Sequence, residues 1–151
     1  MTNQPPEVQT AMREWQAVTD DLAAVARDFD PALLDAPSAC GNWTNRELLI
    51  HVATGYGVRI AALQAVVDGT AAPQIEADAA NATNVARLGG ATGAQIAEEM
   101  AHVRGSVLVL VSRLSSEHLN ATTALAGGKP LREVLASLNA HDLEHAAELR
   151  G

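Results

Sequence analysis

The sequence predicts an all-α protein built as a four-helix bundle, and three observations carry that prediction. Thirty of the 151 residues are alanine and only four are aromatic; alanine is the best helix former, whereas aromatics favour strands. Apolar residues recur every three or four positions through four long stretches, the period of an amphipathic helix. Two of these stretches open on a Thr followed three residues later by Glu or Gln, a capping box in which side chains satisfy free backbone N–H groups at a helix start. A chain of this length is expected to form one domain, residues 1–151, around a single core.

The first helix is expected from about Glu7 to Phe29, with Val8, Met12, Trp15, Thr19, Leu22, Ala26 and Phe29 on one stripe. Asp30-Pro31 stops it, and the Pro, Ser and Gly residues up to Asn42 read as a loop. The second helix starts at the capping box of Thr44 and Glu47, where Trp43 and Leu48 suit a hydrophobic staple, and ends at Gly69. Its inward stripe is Leu48, Val52, Gly55, Arg59, Leu63 and Val66, with Arg59 standing where an apolar residue is expected. Residues 70–91 form a long connection holding a short helix, Glu76–Leu88, ended by Gly89-Gly90. The third long helix opens on Thr92 and Gln95 and carries Ile96, Met100, Val103, Val107, Leu110 and Leu114. Ser115–Lys129 reads as a loop, and the fourth helix runs from Pro130, suited to a first helical position, to about Arg150.

The composition bounds the function. The net charge is −8 and the pI about 4.9, which argues against a non-specific nucleic-acid or anionic-membrane surface. With 48% hydrophobic and 19% charged residues the chain is not disordered, and no unbroken apolar run reaches membrane-spanning length. The one cysteine, Cys40, excludes an internal disulfide framework. No basic, apolar signal segment opens the chain, so a cytoplasmic location is expected.

Chemistry enters on the fourth stripe, where Leu131, Val134 and Leu138 lead on to His141 and His145. Two histidines four apart project from neighbouring turns of one face, the spacing that lets two imidazoles grip one metal ion. A third ligand must come from another helix, and His51 is the candidate. His51 lies roughly 10 Å into the second helix, and His141 and His145 lie roughly 7–14 Å from the end of the fourth. They meet only if the start of helix two and the end of helix four share one end of the bundle. An up-down-down-up order satisfies this, and it requires a crossover of roughly 35 Å between helices two and three. The 22 residues from 70 to 91 span up to roughly 75 Å when extended, which suffices. His102, opposite its helix's apolar stripe, and His118, in the loop, are expected to be solvated. The string His141-Asp142-Leu143-Glu144-His145 also matches the H-x-x-E-H of inverted zinc peptidases, with Glu144 as base. Those enzymes take a further ligand well downstream and have a much larger domain, so a peptidase is not expected.

The stretch Trp43-Thr44-Asn45-Arg46-Glu47-Leu48-Leu49-Ile50-His51 resembles the Trp-Thr-x-x-(Asp/Glu)-Leu-x-x-His start of helix two in the DinB-like (damage-inducible) superfamily. His141-x-x-x-His145 is similar to that superfamily's helix-four motif. The superfamily includes the metal-binding N-terminal domain of mycothiol-dependent maleylpyruvate isomerase. The resemblance implies the same bundle with its crossover, and a divalent metal, zinc or nickel, on His51, His141 and His145. It further implies a low-molecular-weight thiol as a second cofactor, since members with an assigned activity are mostly thiol-dependent transferases or isomerases, others being hydrolases. The isomerase branch has Glu where this chain has His141, and carries a second domain.

Other residues take roles around that site. Three protein ligands leave metal positions open for a thiol or water, which the ion acidifies. Glu148, seven residues beyond His141, is the candidate to orient an imidazole or shuttle a proton, against a plain solvated role. Arg59 is inward, so it either pairs with a carboxylate, receives an anionic substrate or cofactor, or snorkels to the rim. Asn84, in Asp78-x-x-Asn81-x-x-Asn84, either lines the pocket mouth or caps a helix, and Cys40 reads as an ordinary thiol. The expected function is a metal- and thiol-dependent enzyme acting on a small electrophile. The alternatives are a non-catalytic metal- or small-ligand-binding bundle, a metal-dependent hydrolase, and a helical module whose histidines bind nothing and which dimerises through an exposed face.

Overall fold

The computed structural model describes residues 4–71, 76–122, 128–137 and 139–150. Among them it is all-helical, with no β-structure beyond two isolated bridges, Pro37 to Thr44 and Thr122 to Pro130. In chain order come α1 (Pro6–Asp28), a 3-10 turn (Pro31–Leu33), α2 (Asn45–Thr54), α3 (Tyr56–Asp68) and α4 (Ala77–Leu88). Then follow α5 (Gly93–Ser112), α6 (Ser116–Asn120), α7 (Leu131–Ser137) and α8 (Ala140–Arg150).

Both expected capping boxes form. The Thr44 N–H donates to Glu47 Oε2 at 2.9 Å while Thr44 Oγ1 accepts from the Glu47 N–H at 3.2 Å. Thr92 and Gln95 repeat this reciprocal pair at 2.9 and 3.2 Å. Together each pair satisfies two of the backbone donors that a helix start leaves open.

Two expected long helices are interrupted. The second bends at Gly55, whose ψ of −11° is flatter than helical although its N–H still reaches the His51 carbonyl at 2.8 Å. Glycine lowers the cost of such a bend because its backbone is weakly held in helical geometry. The fourth is divided into α7 and α8 around the buried Asn139; Leu138, expected on its stripe, lies outside the described residues. The expected loop 115–129 contains α6, in which the Ser115 N–H donates to His118 Nδ1 at 2.9 Å. His118 is thus half-buried as a capping partner rather than solvated, whereas His102 is exposed as expected.

The apolar stripes fill two clusters. One gathers Leu22 and Ala26 from the end of α1, Leu48, Leu49 and Val52 from α2, Ile96 and Met100 from the start of α5, and Leu149 from α8. The other gathers Val8 and Trp15 from the start of α1, Leu63 from α3, Val107 and Leu110 from the end of α5, and Leu131 from α7. Each fully buried Leu or Ile there contributes about 1.5–3 kcal/mol. Asn45–Asp68 has the length and apolarity of a membrane span; in the fold it is the core helix pair α2–α3, whose Leu48 and Leu63 anchor the two clusters. Gly93 opens α5 where that helix meets the end of α1, since a Cβ on it would stand 2.1 Å from the Ala26 carbonyl oxygen.

Candidate metal centre

The capping box fixes the start of α2, and two turns later the helix presents His51 beside Trp43, ring centroids 4.6 Å apart. His51 Nδ1 lies 3.1 Å from Asn81 Oδ1 on α4, so the connection between the long helices supplies its partner. His141 and His145 come from successive turns of α8, with their Nε2 atoms 3.0 Å apart. The His51 ring centroid is 5.3 Å from that of His141 and 5.2 Å from that of His145. Ligand nitrogens of all three lie within 4.8 Å of one another. The start of the second helix and the end of the fourth therefore meet, as the histidine depths require.

A metal holding three nitrogens at 2.0–2.1 Å sets them about 3.3 Å apart, so closure of the triad asks for shifts of about an ångström. The donor chemistry fits a divalent ion such as zinc. His51 is half-buried, and burial pushes its imidazole below the usual pKa, the two neighbouring imidazoles adding to this against the opposing Asn81 contact. A neutral ring is the form that ligates.

Each histidine also has an oxygen at its Nδ1. His145 Nδ1 lies 2.8 Å from Glu148 Oε2. His141 Nδ1 lies 3.5 Å from Asp142 Oδ1. The other carboxylate oxygen of Asp142 pairs with Arg59 Nη1 at 3.3 Å. Of the alternatives open for Arg59 the structure shows the paired one, and its partner is a carboxylate buried to 3% exposure. Asn84 instead accepts from Arg87 Nη2, one turn on along α4, at 3.4 Å. The asparagine against the histidines is Asn81, one turn earlier in the same motif. Glu144 is exposed, so Glu148 rather than the glutamate of H-x-x-E-H contacts His145.

Sequence reasoning assigns Asp142 no role and reads Cys40 as an ordinary thiol. Asp142 was legible as an inward carboxylate, being seven residues from both Leu135 and Leu149, which are buried. Cys40 lies with His145 and Glu148, ligand atoms within 4.8 Å. Desolvation raises its thiol pKa, and the Glu148 and Glu144 carboxylates add to the rise.

Comparison with known proteins places this geometry in a family. The fold is similar to the crystal structure of the mycothiol-dependent maleylpyruvate isomerase, with a TM-score of 0.78 at 17% identity over 94% of this chain. This chain spans 60% of that isomerase's length. It is also similar to a sibling lethal factor precursor, DfsB, with a TM-score of 0.73 at 14% identity over 97% of this chain and 95% of the other. A search of curated protein sequences gives no significant match. The sequence pattern of the DinB superfamily matches residues 14–149, and the chain belongs to that superfamily.

Proposed function

We propose that this protein holds one divalent metal, zinc or nickel, on His51, His141 and His145 and acts as a thiol-dependent transferase or isomerase on a small electrophile. The observation that carries this reading is the polarity of the three rings. Each Nδ1 faces an oxygen, of Asn81, Asp142 or Glu148, while the Nε2 atoms of His141 and His145 face each other. Outer oxygens that fix ring orientation and tautomer accompany histidine ligands in metal proteins. When bound, the ion supplies Lewis acidity that favours the deprotonated form of a thiol or water reaching it.

The chain's own residues do the rest. Glu148 holds the Nδ1 proton of His145 and is the proposed proton carrier at the site. Arg59, neutralised by Asp142, and Asn84 are the proposed contacts for the thiol cofactor or substrate. The low-identity likeness to an isomerase that uses mycothiol supports a low-molecular-weight thiol as that cofactor. The net charge of −8 supports a small-molecule partner rather than nucleic acid or a membrane surface. We read the bundle as one domain in up-down-down-up order. The support is that the end of α1, the start of α2, the start of α5 and the end of α8 share one apolar cluster.

Elemental analysis of the purified protein tests the metal. Close to one equivalent per chain is expected, lost in His145→Ala; a wild type without affinity for zinc or nickel overturns the reading. Consumption of an electrophile should then require thiol and stop on chelation. Turnover that persists without thiol would point to hydrolysis instead.

A further inference from the structure

Beside the three histidines lies a different donor set. Cys40, His145 and Glu148 each offer one ligand atom, and these lie within 4.8 Å of one another. The loop bearing Cys40 is held in place. The Ser38 N–H donates to the Trp43 carbonyl at 2.8 Å, and the Cys40 N–H donates to Ser38 Oγ at 3.1 Å. Gly41 takes the φ of +61° that the turn from Cys40 to Trp43 needs, a conformation costly to other residues. Cys40 packs against the same apolar cluster as Leu149 of α8. The His145 ring stands between the two donor sets, its Nε2 3.0 Å from His141 and its Nδ1 2.8 Å from Glu148.

We propose that Cys40, His145 and Glu148 form a second divalent-cation site, of sulfur, nitrogen and oxygen donors, suited to a thiophilic ion such as Zn²⁺ or Cd²⁺. Thiolate, imidazole and carboxylate are all zinc ligands, at about 2.3, 2.0–2.1 and 2.0–2.2 Å respectively. The thiolate biases the site toward softer ions than the all-nitrogen triad takes. Binding replaces the Cys40 S–H bond by a sulfur–metal bond and releases one proton to solvent. The ring proton of His145 moves from Nδ1 to Nε2, Glu148 enters as a carboxylate, and no group is oxidised or reduced. Filling both sites at once would strip His145 of its one ring proton as well as taking the Cys40 thiol proton, so the two sites compete at neutral pH. The mixed site does not depend on the function proposed above, although it shares His145 with that triad.

Cobalt(II) tests it, because a thiolate ligand gives a near-ultraviolet thiolate-to-cobalt charge-transfer band that nitrogen and oxygen donors do not. His141→Ala disables the histidine triad and leaves all three mixed donors; the His141 side chain is half-exposed, so the substitution spares the core, and His51→Ala serves as a second such variant. Both are expected to bind one Co²⁺ per chain with the band and to release one proton per ion. Adding Cys40→Ser should abolish the band and weaken binding at least tenfold. No band in either variant at saturating Co²⁺ overturns the proposal. A band only in the triad variants supports both sites. A band from the first equivalent in the wild type supports this site and overturns the all-histidine one.

Discussion

Asp142 is the residue whose replacement separates folding from site geometry. Its side chain is 3% exposed and pairs with Arg59, itself 19% exposed, at 3.3 Å. Breaking a buried ion pair by removing one partner costs about 3–5 kcal/mol, because the remaining charge is left without compensation. Arg59 retains some solvent, so Asp142→Asn is expected at the low end, about 3 kcal/mol. That corresponds to a fall in Tm of roughly 6–12 °C for a chain of this size. Urea unfolding of the chelated protein measures it. Replacing both partners by apolar residues of similar size, Arg59→Met with Asp142→Leu, removes both charges together and is expected to bring stability back to within about 1 kcal/mol of the wild type. Metal binding should not recover with it. Asp142 Oδ1 lies 3.5 Å from His141 Nδ1, and losing such an outer carboxylate costs about 10–100-fold in metal affinity. Asp142→Asn as stable as the wild type would refute the buried-pair argument, and full metal affinity in the double variant would refute the positioning role.

Two further perturbations probe neighbouring features. Asn81→Ala removes the oxygen 3.1 Å from His51 Nδ1 and is expected to weaken metal binding about 10–100-fold with little change in stability, read by competition with a chromophoric chelator. Gly93→Ala forces a Cβ to 2.1 Å from the Ala26 carbonyl oxygen, and since that neighbour is backbone, α1 and α5 must separate. A loss of about 1–3 kcal/mol in chemical denaturation is expected, whereas Gly105→Ala, with nothing near its Cβ on the same helix, should gain up to about 1 kcal/mol.

The helices were legible because their signals are local. The boxes at Thr44 and Thr92 set two starts, and Val8, Trp15 and Leu22 show the period of α1 within one segment. The divisions at Gly55 and Asn139 were not legible, because a hydropathy stripe runs unchanged across a bend. Nor was α6, whose five residues rest on a cap formed by the His118 ring, a residue type with no strong signal for that position. Asn81 and Asn84 show the same limit. Both stand at helical spacing to Leu88; what selects Asn81 is how α4 packs Val85 and Leu88 on the core, a tertiary fact.

The phase of α8 carries the most consequence. Leu131, Val134, Leu138, His141 and His145 is one acceptable stripe; Leu131, Leu135, Leu138, Asp142, His145 and Leu149 is another, sharing Leu131, Leu138 and His145 but turned slightly toward 135 and 142. Hydropathy cannot choose between them, because histidine and aspartate are both polar. Arg59 can, since a guanidinium facing inward needs an inward carboxylate, and α8 offers Asp142 within reach. The pairing turns α8 so that Asp142 and His145 are buried while His141 stays 46% exposed at the margin. The candidate site thus has one buried ligand, one half-buried ligand and one facing solvent. His141 is the ring of the three that solvent reaches most, and the Arg59–Asp142 pair stands beside it. The ion pair that looked like a defect in the second helix is therefore what sets the site's open side.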